Sequence, residues 1–209
     1  MTNYKLQKSS FVIRHSSFRA GFTLLETMVA LAVLLAALVG PVSLITRGIF
    51  AFSFAKNKTV AANLTQEGIE LMRAVRDNNI ICNVLNGPAP WEWNRDPEGG
   101  LLTNTTREVS ANSTVTVTCD DASGTVSIST PRLSLFTGQK IKFDSSTGLY
   151  GYSGTDTIFT RRVEIKSPPD SPDAGIPAGE QMDVISTVEW NERGIARSVI
   201  LRERLFNWR

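Results

Sequence analysis

Gly21-Phe22-Thr23-Leu24-Leu25-Glu26 stands between a basic leader and a long apolar run. From Thr27 to Thr46 the chain has twenty residues and no charge. At a rise of ~1.5 Å per residue, such a helix spans roughly 30 Å, the thickness of a bilayer core. One carboxylate, Glu26, stands at the mouth of the run. A charge deep in a membrane costs ~2.5–3.5 kcal/mol by insertion scales, so Glu26 needs a partner.

Charge is unevenly spread around this stretch. The 209-residue chain carries a net charge of +2. Residues 1–21 hold Lys5, Lys8, Arg14 and Arg19 and no acid, which leaves 18 basic and 20 acidic groups for the rest. A basic flank before a span places the N-terminus in the cytoplasm and the remainder across the membrane. The nearly balanced remainder gives no bulk-charge signal for nucleic acid. The single histidine, His15, lies in the basic leader, so residues 22–209 lack the commonest general base and metal ligand.

The stretch resembles the N-terminus of type IV prepilins and type II secretion pseudopilins. The shared pattern is Gly, then Phe or Met, then Thr-Leu-Leu-Glu, then an apolar helix. It runs here from Ala20 to roughly Gly48. The resemblance implies that prepilin peptidase cuts between Gly21 and Phe22 and methylates the new amine of Phe22. Glu26 then becomes the fifth residue of the mature chain, where it meets the amine of a neighbouring subunit during assembly. The segment from Ala62 to Leu71 resembles minor pilins of the PilV type. The end of the chain, Val188-Glu189-Trp190 through Gly194 to Leu201 and Asn207-Trp208-Arg209, resembles the last hairpin of such proteins.

Two other readings compete for the N-terminus. A secretory signal peptide has a basic start and a small-residue cut site, and Ala30-Leu31-Ala32 has that form. It falls inside the apolar run instead of after it, and the run exceeds the usual ~7–15 residues. A plain single-pass anchor explains the length but neither Glu26 nor the Gly-Phe junction.

Beyond the leader, one long helix is expected from Phe22 to about Asn78. Gly40-Pro41 interrupts its apolar part, and a kink or local melting is expected there, because proline lacks the backbone donor and crowds the previous turn. Past Arg47 the pattern turns amphipathic, with Val60, Leu64, Gly68, Leu71 and Val75 on one face. Asp77-Asn78-Asn79 ends the pattern. A turn-rich region follows, with Gly87-Pro88-Ala89-Pro90 and Asp96-Pro97-Glu98-Gly99-Gly100. Trp91 and Trp93 between them read as a packing lid, a short strand or an exposed contact.

From residue 113 the period is two. Strands are expected at Val115–Cys119, from Val126, and near Lys140–Phe143, Leu149–Tyr152, Ile158–Lys166, Met182–Trp190 and Ile195–Leu205. Short turns between them suggest an antiparallel meander that the helix covers on one side. The proline-rich stretch from Ser167 to Gly179 reads as an exposed, mobile loop. The expected division is therefore a leader (1–21), a transmembrane helix half (22–46), an amphipathic half (47–79), a connecting region (80–112) and a β head (113–209). The fold class is α+β and pilin-like.

Chemistry is sparse. No nucleophile–base pair, phosphate loop or metal-ligand spacing stands out, and neither enzyme activity nor a metal or other cofactor is expected. Asp144, Asp170, Asp173 and Asp120-Asp121 suit calcium or plain turns, and turns are commoner. Arg161-Arg162 suits DNA or ion pairing; DNA binding has no other support. Cys82 and Cys119 form a disulfide in an exported protein or remain two buried thiols. Joined, they would contribute about 4 kcal/mol in the loop-closure picture.

The resemblance implies a minor pilin or pseudopilin, a structural subunit of a pilus or a type II secretion-like filament. Its expected partners are prepilin peptidase, other pilin subunits, an inner-membrane assembly platform and, before assembly, the lipid bilayer. The expected location is the cytoplasmic (inner) membrane as a single-pass protein, then an extracellular or periplasmic filament. The alternative is an adhesive or DNA-capturing module at the tip of such a filament.

Overall fold

The computed structural model describes residues 21–86, 92–121 and 124–208. One helix, α1, spans Leu24–Asn86. Eight strands follow: β1 (Thr105–Asp121), β2 (Gly124–Leu135), β3 (Lys142–Asp144), β4 (Leu149–Gly151), β5 (Thr155–Asp156), β6 (Phe159–Lys166), β7 (Gln181–Glu192) and β8 (Ile195–Phe206). Residues up to Phe50 form one unit and those from Ala51 another.

In the second unit the large sheet has the order β2-β1-β6-β7-β8, and every pairing in it is antiparallel. A small sheet has the order β4-β3-β5. The architecture is α+β and pilin-like, a long N-terminal helix with an antiparallel sheet. It is not the simple meander expected: β3, β4 and β5 leave the large sheet, and β6 pairs beside β1 through Thr105–Arg107.

The sheet buries one face against the second half of α1. Ile69, Met72 and Val75 join Val163, Ile165, Val184 and Leu205 in the main cluster, with Trp93 and Leu102 closing it. Ala61 and Leu64 join Phe159, Val188 and Trp190 in a second. The buried helix face is therefore centred on Ile69 and Met72, while the expected Leu71 is only partly buried beside it. Gly68 lies on the face for a steric reason. A Cβ there would stand 2.5 Å from Ser186 Oγ of β7, so the helix backbone runs almost against the strand.

Several boundaries differ from expectation. The helix starts at Leu24, not Phe22, because Thr23 caps it: its Oγ1 accepts from Glu26 N at 3.2 Å. It runs through Gly40-Pro41 without interruption, so no local melting occurs there. It also passes Asp77-Asn78-Asn79 to reach Asn86, so residues 80–86 of the expected connecting region are helical. The two asparagines do not cap the helix. Asn78 Nδ2 donates to Thr130 Oγ1 at 2.6 Å, and Asn79 Nδ2 donates to Arg95 O at 2.8 Å and Trp93 O at 3.2 Å.

β1 starts at Thr105, well before residue 113. Its first part is flanked by β6 and β2, and the ladder shifts register between Ser110 and Thr114. β2 continues through Pro131, which an edge strand tolerates because its outer N–H needs no ladder partner. The 167–179 loop is exposed over its second part but is not loose. Gln181 grips Asp173 and Ile176 through backbone atoms, Asn94 donates to Ser167, and Arg204 pairs with Asp173 at 2.7 Å. The turn expected at Gly87-Pro88-Ala89-Pro90, Trp91, and residues 122–123 between the first two expected strands lie outside the described residues.

Candidate functional site: the capped helix mouth

Gly21, Phe22 and Thr23 precede the helix as exposed, non-helical chain, and Phe22 is 80% exposed. The Gly21–Phe22 junction is therefore open to solvent on its described side. Thr23-Leu24-Leu25-Glu26 has the T-x-x-E form of a capping box, and Glu26 lies in the first turn where the helix dipole favours an anion. The first turn therefore holds Glu26 in place. Among the described residues no side chain pairs with its carboxylate.

Residues 21–50 bury none of their side chains. Leu24, Leu25, Met28, Leu31, Leu34, Leu35, Leu38 and their apolar neighbours up to Ile49 are all exposed. The hydroxyls within residues 24–50 bond to their own helix: Thr27 Oγ1 to Leu24 O at 2.8 Å, Ser43 Oγ to Gly40 O at 2.9 Å, and Thr46 Oγ1 to Val42 O at 2.9 Å. None of these three hydroxyl donors is left to face hydrocarbon. By length and composition the helix is able to cross a membrane.

The other singled-out residues lie in the second unit. Cys82 and Cys119 are joined as a disulfide, with Cα atoms 5.3 Å apart, inside a small cluster with Val117, Ile128 and Leu85. Arg161 and Arg162 part company, as strand alternation requires. Arg161 is 1% exposed; its Nη1 donates to Leu64 O at 3.0 Å and Glu67 Oε2 at 2.9 Å, and its Nη2 donates to Val109 O. Burial pushes the neighbouring Tyr152 phenol up to about 12, so it stays neutral. Arg162 pairs with Glu189 at 3.3 Å. Both arginines are thus held in ion pairs.

Asp144 forms a plain turn. Ser146 donates to Asp144 Oδ1 through Oγ at 2.6 Å and through N at 2.9 Å, which holds the carboxyl below its ordinary range. Asp170 pairs with Lys166 at 2.5 Å. Among the described residues no three His, Cys, Asp or Glu side chains gather to hold a metal ion.

Two residues with large structural roles carry no sequence signal that marks them. Glu108 is buried and accepts four hydrogen bonds from residues 137–139. Asp183 is 1% exposed and pairs with both Arg202 and Arg204, which hold its carboxyl below the usual range, Arg204 first.

Comparison with known proteins bears on the helix mouth alone. Residues 16–40 match the prokaryotic N-terminal methylation motif, which covers the Gly21–Phe22 junction, Glu26 and Gly40. No curated protein and no solved structure matches the chain. The motif and the long apolar helix together support the type IV pilin and pseudopilin family, processing by prepilin peptidase, and anchoring in a membrane.

Proposed function

We propose that this chain is a minor type IV pilin or pseudopilin, a structural subunit of a pilus or a type II secretion-like filament. The single observation that carries this reading is the matched helix mouth. There an exposed junction is followed by a capped first turn that presents Glu26, whose carboxylate has no partner among the described residues. Cleavage after Gly21 creates a cationic amine on Phe22, four residues from that carboxylate in the same chain. Two like subunits then offer each other opposite charges at the same depth.

The physics follows from the two surroundings of the helix. In lipid an ionised Glu26 is costly, and a neighbouring amine offsets that cost. The exposed apolar side chains exchange lipid contact for contact with other helices, so leaving the bilayer loses little hydrophobic stabilisation. Gly40-Pro41 is the place where the helix would bend during that transfer, because the carbonyl of residue 37 has no backbone donor from Pro41. The Cys82–Cys119 bond would keep the head closed outside the membrane. Arg161 is buried and lends no support to the DNA-capturing form of the tip-module alternative.

Glu26→Val tests the reading. Membrane insertion should persist, and the amount recovered in sheared filaments should fall by about thirtyfold or more, as loss of ~2 kcal/mol of pairing implies. Unchanged recovery in filaments would remove the basis of the proposal.

A further inference from the structure

The sheet face opposite the helix carries a cleft. Side chains alternate across a strand. Arg161, Val188 and Val199 pack toward α1, so their neighbours Thr160, Glu189 and Ser198 form a cross-strand row facing away from it. The cleft over that row has a volume of about 670 Å³, within the ordinary range for a small-molecule site. Phe136, Lys140, Ile158, Thr160, Asn191 and Ser198 line it.

Its wall is built in advance. The segment after β2 turns across the sheet, and the buried Glu108 carboxylate holds it. Thr137 donates from N at 2.7 Å and from Oγ1 at 2.9 Å, Gly138 N donates at 3.1 Å and Gln139 Nε2 at 2.8 Å. Phe136 N also donates to Thr106 O at 3.2 Å. A wall fixed by five hydrogen bonds needs little further ordering when a ligand arrives.

Charge and polarity narrow the ligand. Glu189 is paired with Arg162 at 3.3 Å, and the Arg197 guanidinium lies over the Phe54 ring at 5.1 Å, on the helix side. Lys140 has no ion pair among the described residues, and neither the Thr160 nor the Ser198 hydroxyl has a hydrogen-bond partner there. Asn191 uses Oδ1 on Gly194 N and leaves its amide donors free. The site thus offers one cation without an ion pair, Lys140, beside the ion-paired Glu189, with several hydroxyl-matching groups and an apolar shelf from Phe136 and Ile158. An extended peptide would need the unpaired backbone of a strand edge, whereas these groups stand on the sheet face.

We infer that this cleft binds an acidic sugar, a hexuronate unit of a polysaccharide. The carboxylate meets Lys140, the ring hydroxyls meet Thr160, Ser198 and Asn191, and the C–H face of the ring rests on Phe136 and Ile158. The buried helix face and the cleft lie on opposite sides of the sheet, so assembly and sugar binding are compatible. The inference does not depend on assembly, because binding is read on the unassembled chain.

The test is calorimetry on the full chain in an amine-oxide detergent, with trigalacturonate and neutral maltotriose as probes. Trigalacturonate should saturate with a Kd of about 1 mM or tighter, and maltotriose should bind about tenfold more weakly. Lys140→Ala, an exposed position, should weaken trigalacturonate about tenfold and leave maltotriose unchanged. Arg132→Ala, whose side chain pairs with Glu98 away from the cleft, should change neither. Absence of saturation, equal binding of the two probes, or full affinity in Lys140→Ala would each overturn the inference.

Discussion

Residues 24–50 and 51–86 belong to one helix, yet they are stabilised differently. In the first stretch the large apolar side chains are exposed all round, and the hydroxyls turn back onto their own backbone. In the second, one face is buried: Ala61, Leu64, Ile69, Met72 and Val75 meet the sheet, and Gly68 lets the backbones approach. The first stretch is written for a solvent of lipid or of other helices. The second is written for a partner the chain already carries. A helix built this way is able to exchange its surroundings at one end without disturbing the fold at the other.

That contrast yields sharp expectations, the largest from the disulfide. Cys82 sits near the end of the second stretch and ties it to β1. Cys82→Ser with Cys119→Ser should lower the stability of the head by about 4 kcal/mol in the loop-closure picture. Membrane insertion of the first stretch should be unchanged. Thermal melts of both forms in detergent measure the loss, and equal midpoints would break the assignment of the bond to head stability.

Glycines give the next effect. Gly68→Val forces a side chain against Ser186 and should lower head stability by ~1–3 kcal/mol. Gly48 has nothing within 4 Å of an added Cβ, so Gly48→Val should shift the same melt by less than ~0.5 kcal/mol. If both variants behaved alike, the two stretches would not differ as described.

The smallest effect concerns pH. Asp183 pairs with Arg204 and Arg202, so its folded-state pKa lies below the unfolded value of ~3.9. The unfolded chain binds the proton more readily, so the stabilisation is complete above that value. It is lost as pH falls through the folded pKa. Asp183→Asn should flatten the acid limb of the stability profile and leave filament recovery at neutral pH untouched. An acid limb identical to that of the parent would assign the acid sensitivity elsewhere.

Much of this architecture is legible in the residues, and the gaps have physical causes. Phe159–Lys166 announces its strand most clearly, because its burial alternates residue by residue, whereas Gln181–Glu192 is buried nearly throughout and Ile195–Phe206 is mostly exposed at the sheet edge. The start of β1 is hidden, since Glu108 and Ser110 are polar yet buried and mask the alternation. The helix end is hidden because Asn78 and Asn79 look like a stop. Their side chains bond to β2 and to the loop after the helix, and Ile80 and Cys82 carry the burial onward. The expected start at Phe22 overlooks Thr23-x-x-Glu26, a capping pattern that makes Leu24 the first helical residue. Strand alternation sends Arg161 and Arg162 to opposite faces, and the sheet's packing decides that Arg161 is the buried one.

The helix mouth can be tested most directly at the N-terminus of the mature protein. Mass spectrometry of material recovered from filaments or membranes should find a chain that begins with N-methylated Phe22 and carries Glu26 as its fifth residue. A mature chain that begins at Met1, or downstream of Ala32, would contradict the pairing of a new amine with Glu26 on which the proposed assembly rests.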